Sequence, residues 1–122
     1  MRTEVLYIED DDDLYRRIHR TQLKNEEVLP AAFVTNRQPD NSISVDLARL
    51  TTPDETLSRG RKCKSEYGLG VLCAQYPRTL GFTVRHRPSH DNHAHTLVEG
   101  QNTRTKCHLL ARATSLLRRP GG

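Results

Sequence analysis

The segment FTVRHRPSHDNHAHTLVEG, residues 82–100, decides the fold. Apolar and polar side chains alternate over 82–86, which is the pattern of a half-buried strand, and Pro88 ends that strand. The Asp-Asn pair at 91–92 indicates a turn, after which residues 95–98 can return along the first strand. We therefore predict an antiparallel hairpin at this point of the chain.

The residues after the hairpin predict an amphipathic helix over 103–119. Small or apolar side chains recur there at helical spacing, namely at Cys107, Leu110, Ala111, Thr114 and Leu117. Basic side chains occupy much of the remainder, and a Pro-Gly-Gly sequence ends the segment. Because a helix with one apolar face must bury that face, we expect this helix to pack on the sheet.

Earlier segments add further elements. Residues 43–48 alternate and residues 68–74 form an apolar run, and both patterns predict strands. Thr52, with Glu55 three residues later, predicts the start of a short helix, and residues 12–23 are predicted as a short helix or turn. The predicted fold is therefore α+β, with a small, mostly antiparallel sheet of about four strands and a C-terminal amphipathic helix packed on it.

The length of 122 residues predicts a single domain over 1–122, with an acidic N-terminal segment at 1–13. Hydrophobic residues make up 34% of the chain, and no apolar run approaches the roughly 18 residues that span a bilayer. No secretory signal is recognisable, and the three cysteines form no Cys-x-x-Cys pair. We therefore expect a cytoplasmic protein without a membrane partner, and no motif indicates a cofactor.

The charge is divided unevenly along the chain. Residues 1–13 carry six of the 15 acidic residues and one of the 19 lysines and arginines, so residues 14–122 have a net charge of +9. A basic body of this kind can bind a polyanion, or the acidic segment can fold back on it. A third interpretation is that the charges only keep a chain of low hydrophobicity soluble.

Four stretches resemble a group of short bacterial proteins of unknown function. They are LYRRIH (14–19), SVDLA (44–48), TPDETL (52–57) and NHAHTLVEG (92–100). The resemblance covers most of the chain and implies a bacterial origin and a single domain, but no activity. The group has proline where this chain has His93, so any site that requires His93 departs from the group's pattern.

The first functional hypothesis is a binding or accessory module whose basic surface engages an acidic partner, either a protein or a nucleic acid. Arginine suits this role because its planar guanidinium binds phosphate and carboxylate with two parallel hydrogen bonds. The predicted contact residues are Arg16, Arg17, Arg59, Arg61, Lys62 and Lys64.

The alternative hypothesis is a small enzyme that acts on RNA or a nucleotide. In it, His19 and His95 serve as acid and base, and Arg16 holds the phosphate. An early arginine together with Glu99 would also suit an ADP-ribosyl transferase. The two hypotheses differ in whether His19 and His95 face one pocket that also contains an arginine.

A metal site is the third hypothesis. His90, His93 and His95 lie close together in the sequence, and imidazole is a common ligand for zinc. Cys107 or Glu99 could complete a tetrahedral set. The spacing matches no compact zinc motif, so the alternative interpretation is a polar hairpin loop with solvated histidines.

Overall fold

The computed structural model describes residues 4–35, 42–59 and 64–121, except for the side chain of Lys64. The fold is α+β. The strands are β1 (Asp13–His19), β2 (Leu23–Lys24), β3 (Glu27–Val28), β4 (Ser42–Leu47), β5 (Tyr67–Cys73), β6 (Thr83–His86), β7 (His95–Glu99) and β8 (Ser115–Arg118). The α-helices are α1 (Pro53–Ser58), α2 (Gln75–Thr79) and α3 (Arg104–Ala113). Short 3-10 turns cover Arg20–Gln22, Pro30–Phe33, Ala48–Leu50 and Lys64–Glu66.

The main sheet is antiparallel, with the strand order β6-β7-β4-β1-β5-β8. The prediction of a mostly antiparallel sheet is confirmed, but the described residues give it six strands where about four were predicted. The strands β2 and β3 form a separate small hairpin. The two additional strands of the main sheet are β1 and β8, which both lie in segments predicted to be helical.

The helix or turn predicted over 12–23 is wrong for most of its length, because Asp13–His19 forms β1. Leu14 and Ile18 are completely buried, and their spacing of four residues fits one face of a strand as well as one face of a helix. β1 is paired with β5 over its whole length, from Asp13↔Cys73 to His19↔Tyr67. That pairing is a long-range contact, which the local pattern did not indicate.

The helix predicted over 103–119 ends at Ala113, so the predicted range is wrong at its C-terminal end. α3 begins where the Thr103 hydroxyl accepts a hydrogen bond from the backbone N–H of Lys106 at 3.1 Å. Residues Ser115–Arg118 instead form β8, which pairs with β5 at Gly70↔Leu116 and adjacent positions.

Several local predictions are confirmed. β6 and β7 form the antiparallel hairpin, with Val84↔Val98 at its centre. The runs at 43–48 and 68–74 correspond to β4 and β5. The Thr52 hydroxyl accepts a hydrogen bond from the Glu55 N–H at 3.2 Å, and Pro53 occupies the first turn of α1. These features depend on residues close together in sequence, which is why the pattern was sufficient.

The two faces of the main sheet differ in what covers them. One face belongs to the hydrophobic core, where Leu14, Ile43 and Val98 pack with Phe33 and with Leu110 of α3. The opposite face contacts the short helix α1, which lies against β1 and β5. Because α1 has only six residues, part of this second face stays open and polar. The candidate functional site lies on this open part.

The first described residues, 4–12, are docked on the body of the protein and are called the N-terminal segment here. Ile8 is buried in the core. Arg78 donates to the Asp10 carboxylate and to the Ile8 carbonyl, and Arg49 donates to the Asp12 carboxylate at 2.9 Å. Two of its acidic side chains thus pair with arginines near the beginning of β1. None of the helices in the described ranges is long and apolar enough to cross a membrane.

Candidate functional site

A cavity of about 700 Å³ opens on the polar face of the main sheet. We call it the β1 cavity, because alternate residues of β1 form its floor. The lining side chains used below are Tyr15, Arg17, His19, Asp46, Arg59 and His95. They come from β1, β4, β7 and the end of α1. These elements are distant in sequence, and the strand order of the sheet brings them together.

Arg17 lies on the floor of the cavity between Tyr15 and His19, which point to the same side of β1 because strand side chains alternate. One of its guanidinium nitrogens donates to the backbone carbonyl of Thr56 at 3.1 Å. No carboxylate of residues 4–35, 42–59 or 64–121 forms an ion pair with it. Arg17 is therefore a positive charge held in place by one hydrogen bond, and its other N–H groups can donate to a ligand.

Arg16 occupies a cleft between β1 and β4. These strands pair only at Leu14↔Leu47 and Tyr15↔Asp46 and then diverge. The Arg16 guanidinium fills the opening, donating to the carbonyls of Ser44 at 2.7 Å and Ala32 at 2.9 Å. Its donors thus replace backbone hydrogen bonds that β1 no longer supplies to β4.

The Arg16 guanidinium is also 5.5 Å from the centroid of the Phe33 ring, which is a cation–π contact. Burial lowers the pKa of Arg16 to about 10, and the nearby positive charge of Arg17 contributes to this shift. Arg16 is charged at neutral pH even so. None of the ion pairs among the described residues includes Arg16 either, so Arg16 and Arg17 are adjacent cations at the cavity that form no direct ion pair there.

Asp46 fixes one wall of the cavity. Its side chain is only 5% exposed and accepts hydrogen bonds from Thr56 at 2.8 Å, Arg59 at 2.7 Å and Asn92 at 2.9 Å. These donors belong to α1, its C-terminal end and the turn before β7. Since both carboxylate oxygens are used, Asp46 acts as a structural centre that holds these elements over β4.

One ring nitrogen of His95 has a hydrogen-bond partner in the described structure, and the other has none. Its Nδ1 lies 2.9 Å from the carbonyl oxygen of Arg87. Because a carbonyl only accepts, Nδ1 carries the proton, and in the neutral ring Nε2 holds the lone pair. Nε2 has no hydrogen-bond partner in the described part of the chain, and the side chain lines the cavity. This arrangement is typical of a histidine that accepts a proton.

His19 has a different role, because both of its ring nitrogens are engaged. Nδ1 accepts from the backbone N–H of Thr21 at 3.2 Å, and Nε2 donates to Glu66 at 3.1 Å. His19 thereby caps the turn Arg20–Gln22, and its ring packs edge-on to Tyr67 at 5.0 Å. From the strand register, its Cα lies about 16 Å from that of His95. Both histidines face one cavity, but at opposite ends.

The remaining predicted site residues are distributed as follows. Arg59 lines the cavity and is paired with Asp46. The predictions for Arg61, Lys62 and the side chain of Lys64 lie outside the described residues. Glu99 pairs with Arg85 at 3.1 Å and does not line the cavity.

The histidine-rich hairpin assembles no metal centre within residues 4–35, 42–59 and 64–121, where no three His, Cys, Asp or Glu side chains form a ligand set. His90 and His93 are exposed, and only His95 of the three reaches the β1 cavity. Cys107 lies in the core, where burial raises the pKa of its thiol.

Asp46 and Tyr15 were not selected from the sequence. The available signal for Asp46 was a carboxylate at an outward position in the strand pattern of 43–48, six residues before the helix cap Thr52. For Tyr15 the signal was hidden, because its position on the open face depends on β1 being a strand.

In comparisons with known proteins, no family model matches the chain, and neither does a curated protein or a solved structure.

Proposed function

We propose that the β1 cavity binds a phosphate-bearing ligand of the nucleotide class, either a free nucleotide or a segment of single-stranded nucleic acid. The observation that carries this proposal is Arg17, a guanidinium on the cavity floor without a carboxylate partner in the described structure. Arg17 is half-buried, and an anionic ligand can form charge-assisted hydrogen bonds with its remaining donors. Arg16 lies beside it and increases the local positive potential.

The surroundings of Arg17 favour a nucleotide over a simple inorganic anion. Tyr15 is two residues away on the same face, and Tyr67 lies diagonally across on β5, so the Cα atoms of both tyrosines are about 7–8 Å from that of Arg17. Aromatic rings next to a cation are typical of sites where bases stack beside their phosphates. The volume of about 700 Å³ is also in the range of small-ligand sites.

The position of the N-terminal segment supports the same proposal. Its Asp10 and Asp12 pair with Arg78 and Arg49 near the beginning of β1, and not with the arginines of the cavity. These two acidic residues of the segment are therefore paired outside the cavity and do not neutralise Arg17. Our proposal is therefore more specific than the first hypothesis from the sequence. It replaces a general basic surface for an acidic partner with the β1 cavity as the binding site.

The test is equilibrium binding of a fluorescent single-stranded RNA pentamer and of AMP at two salt concentrations. We expect RNA binding that weakens with salt, with a slope of about 0.7 per phosphate contact. Arg17→Ala removes hydrogen bonds to a charged group, worth about 1.5–3 kcal/mol each, and should weaken binding about 10- to 100-fold. Arg17→Lys should retain part of the affinity, because it keeps the charge but not the two-pronged geometry.

Arg104→Ala is the matched control, since it removes an exposed positive charge from α3, outside the cavity. It should leave the affinity within about twofold, as expected for a distant surface charge. Equal losses in Arg17→Ala and Arg104→Ala would show that net charge, and not the cavity, determines binding. Absence of binding to both ligands at low salt, with binding of an acidic peptide, would overturn the proposal in favour of a protein partner.

A further inference from the structure

We infer that the β1 cavity cleaves single-stranded RNA by attack of the ribose 2′-hydroxyl on the neighbouring phosphate, with His95 as the base and Tyr15 as the acid. This inference rests on the proposed function, because Arg17 must first hold the phosphate. It adds a reaction to the binding, and it limits the reacting substrate to RNA.

The first argument is the register of three strands. Tyr15 of β1 pairs with Asp46 of β4, and Asp46 pairs with His95 of β7, so the three side chains form one row across the open face. Two strand spacings separate the Cα atoms of Tyr15 and His95 by about 10 Å. A phosphate with a hydrogen bond on each side spans about 8 Å, which is comparable with this spacing. Arg59 and Asn92, which donate to Asp46 in the middle of the row, would border such a phosphate.

The second argument is the protonation pattern of the row. The Arg87 carbonyl fixes the proton of His95 on Nδ1, which leaves Nε2 as a base that faces the cavity. Tyr15 is another residue of the cavity lining, and its hydroxyl has no hydrogen-bond partner among the described residues. Asp46 lies between them but is buried and already accepts three hydrogen bonds, so it does not compete for the proton.

The third argument is the location of the positive charge. Arg17 follows Tyr15 by two residues on the same face, about 7 Å along the strand. A guanidinium in this position can donate to the non-bridging phosphate oxygens, where negative charge increases in the transition state. Its hydrogen bond to the Thr56 carbonyl holds it in place before the substrate arrives.

The reaction balances without any further reagent. His95 Nε2 takes the proton of the 2′-hydroxyl while the 2′-oxygen forms a bond to phosphorus. The bond between phosphorus and the 5′-oxygen breaks, and that oxygen takes the phenolic proton of Tyr15. The products are a 2′,3′-cyclic phosphate and a 5′-hydroxyl, and proton exchange with water restores His95 and Tyr15.

The experiment incubates a single-stranded RNA pentamer with saturating protein and follows its products by mass spectrometry. We expect a 2′,3′-cyclic phosphate end and a 5′-hydroxyl end, and no cleavage of the same sequence made with 2′-deoxyribose. His95→Ala should lower the single-turnover rate about 100-fold or more, as is typical for removal of a general base. Tyr15→Phe, which removes only the hydroxyl, should also lower it substantially.

Matched controls separate the reaction from contamination and from misfolding. His90→Ala changes an exposed histidine of the same hairpin turn that is outside the cavity, and Tyr76→Phe removes an exposed hydroxyl from α2. Both should cleave at the wild-type rate when purified in parallel. The melting temperatures of His95→Ala and Tyr15→Phe, measured in the same buffer, verify that these variants are folded.

The outcomes distinguish this inference from the proposed function. RNA that is bound but remains intact would overturn the cleavage inference and leave the binding proposal in place. Cleavage at the same rate in His95→Ala, or products with a 3′-hydroxyl end, would also overturn it. RNA that is neither bound nor cleaved would overturn the proposed function itself.

Discussion

Asp46→Asn tests how far one buried carboxylate determines the shape of the β1 cavity. The side chain of Asp46 is 5% exposed and accepts hydrogen bonds from Thr56, Arg59 and Asn92. An asparagine retains only one acceptor oxygen and turns an N–H toward a donor. Removal of one partner from a buried ion pair costs about 3–5 kcal/mol. Because the Arg59 side chain is still 25% exposed, we expect the lower limit, about 3 kcal/mol.

The loss of stability expected for Asp46→Asn is large enough to measure. For a chain of 122 residues, the entropy of unfolding converts about 3 kcal/mol into a decrease of about 12 °C in the melting temperature. Thermal denaturation followed by circular dichroism measures this directly. The variant should also lose affinity for the RNA pentamer, because α1 and the turn before β7 are no longer fixed over β4.

Asp54→Asn is the control, because it makes the same chemical change at an exposed carboxylate that pairs with Arg118 at the surface. Surface ion pairs contribute less than about 1 kcal/mol, so its melting temperature should decrease only slightly. If Asp46→Asn and Asp54→Asn melt within about 2 °C of each other, the assignment of Asp46 as a structural centre is refuted.

Three further predictions concern stability. Gly70→Ala should destabilise the fold by about 1–3 kcal/mol in urea unfolding, because a Cβ there would lie 2.6 Å from the Thr114 methyl carbon, and Thr114→Ser should restore part of the loss. Burial raises the pKa of the Cys107 thiol, so its contribution is complete below the unfolded-state value of about 8.5 and is lost as the pH rises above it. The stability difference between the wild type and Cys107→Ala should therefore decrease from pH 8 to pH 10, and a constant difference would contradict this. His86→Ala removes a ring that accepts from the Leu6 N–H and contacts the His93 carbonyl, and limited proteolysis should then cut the N-terminal segment first.

Local signals in the sequence were sufficient for the part of the fold built from neighbouring residues. The hairpin of β6 and β7 follows from alternation and a turn, and α1 follows from the Thr52 cap. β1 was predicted incorrectly because Leu14 and Ile18 recur at a spacing that a helix and a strand share. β8 was hidden because its strand conformation depends on pairing with β5 and not on its own residues.

The candidate site was predictable by residue type and not by arrangement. Arg16 and Arg17 are conspicuous as a basic pair, but the sequence did not indicate that one fills a cleft between strands and the other lies on a cavity floor. His19 was selected as an acid or base, and the structure uses both of its ring nitrogens to cap a turn. Such roles depend on distances across the sheet, which one sequence cannot supply.

The docking of the N-terminal segment makes the charge distribution along β1 uneven. Asp10 and Asp12 are anchored near the first residue of β1, whereas Arg17 is located further along the same strand. Residues 4–13 carry six acidic side chains, of which arginines pair with two in the described structure, so negative charge predominates at this end of the strand, whereas Arg17 has no ion-pair partner there. Under the proposed function, a polyanion that approaches from solution would be repelled from the first region and attracted to the second, so it would arrive already oriented. On that proposal, the N-terminal segment would influence the speed and angle of encounter without touching the bound molecule.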